Sequence, residues 1–111
     1  MKAYRLAISR RADSDADEIY EWLAHRSLAG ATRWYLALRK TLHSLTENPG
    51  SRGQAPEGEL VGRDVRQALF KTRRGRIYRV LFIVVDDTVH VVAIRGYGQD
   101  LATLDDLELP N

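Results

Sequence analysis

Residues 71–95 read Lys71-Thr-Arg-Arg-Gly-Arg-Ile-Tyr-Arg-Val-Leu-Phe-Ile-Val-Val-Asp-Asp-Thr-Val-His-Val-Val-Ala-Ile-Arg95, a basic turn followed by two apolar runs joined at Asp86-Asp87. Runs rich in Val, Ile and Phe, divided by a short acidic turn, predict a β-hairpin with cations at its open end. With Asp86-Asp87 as a two-residue turn, Val85 faces Thr88, and pairing proceeds outward to Arg79 opposite Ile94 and Tyr78 opposite Arg95. One face then carries Val80, Phe82, Val84, Val89, Val91 and Ala93 and is expected to cover helices. The other carries Arg79, Leu81, Ile83, Thr88, His90, Val92 and Ile94 and is the expected binding face. Arg76, Tyr78, Arg95 and Tyr97 would share the first face at the open end, an assignment that a β-bulge would change.

Toward the N-terminus, Tyr4, Leu6 and Ile8 alternate with Arg5, Ala7 and Ser9, which predicts a short strand. Ser9 is placed to cap a helix over about residues 11–27, with Ala12, Ala16, Ile19, Tyr20 and Leu23 as its apolar stripe. Asp13, Asp15, Asp17 and Glu18 sit early in that helix, where they are expected on a solvated face at the positive end of its dipole. Gly30 is expected to break it and open a second helix to about residue 47, striped by Ala31, Trp34, Tyr35, Leu38, Leu42 and Leu45 and stopped at Asn48-Pro49-Gly50. Trp22 and Trp34 read as helix-packing residues. Residues 49–62, rich in Pro and Gly, read as a loop, and a further strand is expected over about 65–71. The order β-α-α-β-β-β predicts an α+β fold, an antiparallel helical hairpin packed on one face of a small, mainly antiparallel twisted sheet.

A chain of 111 residues suits one domain, here 1–111 with a short acidic tail from about residue 99. Seventeen Lys/Arg face fifteen Asp/Glu overall, but residues 63–79 hold seven bases against Asp64 alone. Asp100, Asp105, Asp106 and Glu108 follow with no base among them. That asymmetry implies an anionic partner, or a tail that folds back over the basic patch. No cysteine is present and no apolar run approaches the roughly 20 residues that span a bilayer, so a cytoplasmic protein without membrane contact is expected. His25, His43 and His90 share no ligand spacing, and no Gly-x-Ser-x-Gly elbow occurs; neither a metal nor another cofactor is expected. Arg79 stands inside an apolar run where an unpaired guanidinium is costly, so it requires a carboxylate or a ligand anion beside it. Arg95 poses the same demand.

Tyr4-Arg-Leu-Ala-Ile-Ser-Arg-Arg-Ala12, Asp17-Glu-Ile-Tyr-Glu-Trp-Leu23, the Asn48-Pro49 stop, Tyr78-Arg-Val-Leu-Phe82 and Asp86-Asp-Thr-Val89, in this order over about residues 3–98, resemble the RelE/ParE superfamily of bacterial toxins from type II toxin–antitoxin systems. The resemblance implies the β-α-α-β-β-β fold, a cognate antitoxin, and one of two activities. RelE-like members cut messenger RNA on the ribosome, whereas ParE-like members poison DNA gyrase. Arg79 matches the Tyr-Arg motif arginine of the ribonuclease branch and Lys71 roughly matches a lysine of its strand. By ungapped extension that branch's second arginine falls on Gln99 and its tail tyrosine near Asp105, with Arg95 and Tyr97 as substitutes. The long helical hairpin and the Gly/Pro-rich link are similar to the ParE-like branch. The resemblance therefore implies a ParE-like gyrase poison whose basic target-binding surface is Arg73, Arg74, Arg76, Arg79 and Arg95. The alternatives are an endoribonuclease using Arg79, Lys71, Arg95 and Tyr97, and a non-toxic antitoxin-binding module.

Overall fold

In the computed structural model, which describes residues 3–96 and 98–111, the chain runs β1 (Arg5–Ile8), α1 (Arg10–Ala24), α2 (Leu28–Ser44), α3 (Glu57–Val61), β2 (Arg66–Phe70), β3 (Tyr78–Val85) and β4 (Thr88–Gly96). Tyr97 lies outside the described residues. Ser9 caps α1 as expected, its hydroxyl accepting from the Ala12 amide at 3.0 Å. Gly30 does not divide the helices. Ser27 begins α2 by accepting from the Gly30 amide at 3.0 Å, which leaves the glycine inside the first turn. The stretch 49–62 is also more ordered than its composition suggests, with a 3-10 turn at Pro49–Ser51 and α3 behind it. Gly62 ends α3 at φ 69°, the left-handed conformation that glycine adopts without strain.

The strands lie in the order β1-β4-β3-β2. β1 runs parallel to β4, while β3 pairs antiparallel with both β4 and β2, so the sheet is mixed around an antiparallel hairpin. Val85 faces Thr88 and the predicted register holds as far as Phe82 opposite Val91; an irregularity between Leu81 and Phe82 then shifts the pairing by one residue. Beyond it Val80 faces Ile94, Arg79 faces Arg95 and Tyr78 faces Gly96. The shift exchanges the sides of Ala93 and Ile94, because side chains alternate with period two. It also moves Arg95 away from the face of Tyr78 and onto that of Arg79.

Two cores result. On the helix side, Trp34, Leu38, Leu42 and Leu45 of α2 and its end pack on Tyr78, Val80, Phe82, Val89, Val91 and Ile94. On the other side, Leu81, Ile83, Val92 and Ala93 are buried by Ala55, Val65, Ala102 and Leu107. The expected open binding face is therefore covered, by the segment before β2 and by the chain's last residues. Residues 53–55 also pair along the outer edge of β2, through Ala55 N–H to Val65 O and Gln67 N–H to Gly53 O. Among the described residues no helix is long and apolar enough to cross a membrane.

The acidic tail does fold back, but against Arg11 and Arg95 rather than Arg73 to Arg76. Glu108 accepts from the Arg11 amide at 3.0 Å, and Asp106 lies 3.4 Å from Arg11 Nη2 and 3.9 Å from Arg95 Nη1. Leu107 fixes it in the second core. Leu107→Ala is expected to destabilise the protein by about 2–3 kcal/mol, the loss of a buried leucine at a site near the surface, measurable as a lower urea midpoint with an unchanged slope.

Candidate functional site

Arg79 finds its counter-charge inside the protein. Its Nη1 donates to Glu57 Oε1 at 2.9 Å and its Nη2 to Glu57 Oε2 at 2.6 Å, a bidentate pair. Gln67 Oε1 accepts a further bond from Nη1 at 3.0 Å, and Glu57 Oε2 accepts from the Ala102 amide at 3.0 Å. Arg79 is 3% exposed and Glu57 fully buried, so the arginine does not belong to a basic surface. The requirement that it be paired is met, by a carboxylate and not by a ligand.

Arg95, opposite Arg79, donates through Nη2 to the Asp100 carbonyl at 2.9 Å and faces Asp106; its side chain is mostly buried. The shifted register thus brings two arginines side by side, and Glu57 and Asp106 offset the like charges. Lys71 lies just past β2 and is exposed. Of the four residues that the ribonuclease alternative needs, Arg79 and Arg95 are together but occupied, Lys71 is free at the surface, and Tyr97 is outside the described residues.

The carboxylates here titrate away from their usual values in different directions. Burial pushes Glu57 upward, but the Arg79 guanidinium and the Ala102 amide outweigh it and hold the carboxyl below its ordinary range. The Thr103 amide, with help from Arg95 and Arg11, likewise lowers Asp106. Asp15 is raised by burial, against the pull of the Ile94 amide that it accepts at 2.9 Å and of Arg11 and Arg95. It is more than a solvated dipole complement, since it takes the β4 amide where β1 has already ended. Groups with lowered values stabilise the fold fully above the unfolded value, about 3.9 for Asp and 4.3 for Glu, and lose that contribution as pH falls through the folded value. Asp15 acts in the opposite sense. Stability is therefore expected to fall below about pH 4.3, and Asp106→Asn to reduce that fall, in urea titrations run at several pH values.

A separate cleft of about 600 Å³ opens where the tip of the helical hairpin meets the β2–β3 loop. Arg73, Arg74 and Arg76 line it from the loop, which turns through a Gly75 N–H to Thr72 O bond of 3.0 Å. A Cβ on Gly75 would meet the Thr72 hydroxyl, so a larger residue there requires that side chain to turn away. Arg26 and Trp22 enter from the end of α1, four residues apart on one face, with the guanidinium carbon 3.9 Å from the indole centroid. Arg33 and Trp34 enter from the start of α2. Trp34 stacks edge-on to Tyr78, centroids 5.5 Å apart, and burial pushes the Tyr78 phenol upward against Arg76, keeping it neutral.

Three expected surface residues, Arg73, Arg74 and Arg76, are thus brought together, while Arg79 and Arg95 are removed by burial and pairing. Sequence reasoning missed Arg26 and Arg33. Their position at the hairpin tip was the available signal, since both helices present their ends to whatever follows the sheet edge there. Trp34 is core as expected, but Trp22 is 46% exposed.

A family described as ParE toxin of type II toxin-antitoxin system, parDE, matches residues 6–101 of the chain. The fold is similar to that of a chain described as "Chromosomal ParDE TA system from P. aeruginosa", with a TM-score of 0.65 and 19% identity, covering 85% of this chain and 96% of that one. No curated protein matches the chain in sequence.

Proposed function

Since the chain belongs to the ParE toxin family of type II toxin–antitoxin systems, we propose that it acts in the cytoplasm by binding DNA gyrase and is neutralised by a cognate antitoxin. The observation that carries the choice of gyrase over messenger RNA is the burial of Arg79 in its bidentate pair with Glu57. A phosphate-contacting arginine must meet its substrate, and this one meets a carboxylate. Binding then falls to the exposed loop, with Arg73, Arg74 and Arg76 as the target-facing cations.

The similar fold from a ParDE TA system supports an antitoxin partner. Its proposed seat is the apolar groove of Leu6, Ile8, Ala16, Tyr35 and Leu38, between the two helices and β1. β1 is the terminal strand on that side, whereas the other terminal strand, β2, already pairs with residues 53–55. An extended antitoxin segment can add along β1 while its apolar side chains fill the groove.

The test is to add the purified protein to gyrase and relaxed plasmid. Loss of supercoiling with accumulation of cleaved DNA, reversed by the antitoxin, is expected. Unaffected gyrase together with truncated messenger RNA in a reconstituted translation reaction would replace this reading by the ribonuclease one.

A further inference from the structure

The cleft at the hairpin tip has a chemistry more specific than positive charge. Five arginines line it, Arg26, Arg33, Arg73, Arg74 and Arg76, and no lining residue is acidic. None of the five makes an ion pair among the described residues, in contrast to Arg11, Arg66, Arg79 and Arg95. The only two tryptophans of the chain also line it. Trp22 keeps nearly half its surface open with Arg26 over the ring, and Trp34 carries a buried indole N–H with no acceptor among the described residues. Such a donor is costly to leave unmet. Glu18 lines a neighbouring hollow that shares Trp22, Arg76 and Tyr78 with the cleft.

Unpaired guanidinium groups select acceptor-rich anions, and phosphate oxygens suit their forked donors. The half-exposed Trp22 indole, which carries Arg26 over its ring, offers a surface on which a planar ring can stack, and the combination of basic groove and aromatic platform is the one that holds single nucleotides of a strand. The volume, about 600 Å³, falls within the range of small-molecule sites, roughly 300–1,000 Å³. We infer that the cleft binds a nucleoside phosphate, its phosphate among the loop arginines and its base against Trp22, supplied either as a free nucleotide or as one unit of a single strand. The site shares Arg73, Arg74 and Arg76 with the proposed gyrase-facing surface, but its test uses no gyrase, so the two readings fail separately.

Both tryptophans report on this cleft, so indole fluorescence measures its occupancy directly. The full-length protein would be titrated at low salt with ADP, with a short oligothymidine, and with polyglutamate of matched charge. Saturable quenching by ADP or the oligothymidine is expected, weakened about tenfold by Trp22→Ala and by Arg73→Ala, with polyglutamate at least about tenfold weaker than either. Comparable affinity for ADP and the strand assigns the free nucleotide, and binding of the strand alone assigns single-stranded nucleic acid. Because both substitutions are at exposed side chains, an unchanged melting temperature in each variant keeps the comparison valid. Absence of binding to both ligands overturns the inference. So does polyglutamate binding as tightly as the strand with Trp22→Ala without effect, which would make the cleft an undiscriminating cationic surface suited to an acidic protein segment.

Discussion

Arg79→Ala is expected to destabilise the protein by about 3–5 kcal/mol, the cost of leaving one member of a buried ion pair without its partner. Glu57 would keep only the Ala102 amide as a hydrogen-bond donor from outside its own helix, in a site closed to water. Glu57→Gln should be comparably damaging, because it strands the guanidinium instead. Replacing both together, as Glu57→Leu with Arg79→Met, should recover most of the loss, since the burial penalty of the charges disappears with the charges. Urea denaturation of the parent, Glu57→Leu, Arg79→Met and the double variant gives the coupling directly. A single variant within about 1 kcal/mol of the parent, at the small end of single-substitution effects, would show that the pair is not a structural tie. The prediction bears on function as well. Loss of toxicity in Arg79→Ala therefore does not identify a catalytic arginine, because the substitution also loosens the fold. Loosening should spread to the tail, because Glu57 joins α3, β3 and Ala102 at one point, and amide exchange at Ala102 should rise with it.

Reversal of the loop charges, with Arg73, Arg74 and Arg76 all changed to Glu, is expected to reduce gyrase inhibition at least about 100-fold, like-charge contacts across an interface being worth several kcal/mol. The local balance of Lys71, Arg73, Arg74 and Arg76 goes from +4 to −2, that is +4 − 6. All four side chains are exposed and none forms an ion pair among the described residues, so the melting temperature should scarcely move. Antitoxin binding should survive, because its proposed groove lies toward the start of α1 and the end of α2, whereas the loop meets the opposite end of the hairpin. Colony formation after induction, the inhibitor concentration in a supercoiling assay, and retention on immobilised antitoxin separate these effects. Full toxicity in the reversed variant would remove the loop from the target interface, and loss of antitoxin binding would merge the two surfaces.

What could be read from the chain alone was whatever short-range chemistry decides. Apolar runs rich in Val and Ile at residues 78–85 and 88–95, stripes at helical spacing and the cap at Ser9 marked the four strands and the two long helices in their order, because each depends on neighbours a few residues away. The demand of Arg79 for a counter-charge was legible for the same reason, since an arginine among valines and leucines is anomalous in any fold that buries them. Its partner was not. Glu57 sits 22 residues earlier on a five-residue helix in a stretch that reads as loop, and only the closing of the second core brings the two together.

The same holds for the register beyond Leu81, where one unpaired residue exchanges the faces of Ala93, Ile94 and Arg95 without a mark in the pattern. The tail's charge was visible, but its seat depended on Leu107 finding Leu81, Ile83 and Val92 across the sheet. The arginine cleft is likewise a product of packing, assembled from the tip of the helical hairpin and a loop some forty residues on. Sequence thus determined what each segment is, through periodicity, caps and turns. Tertiary structure decided which charges are satisfied internally and which are left for partners, because burial and pairing are properties of residues that meet only in the folded chain.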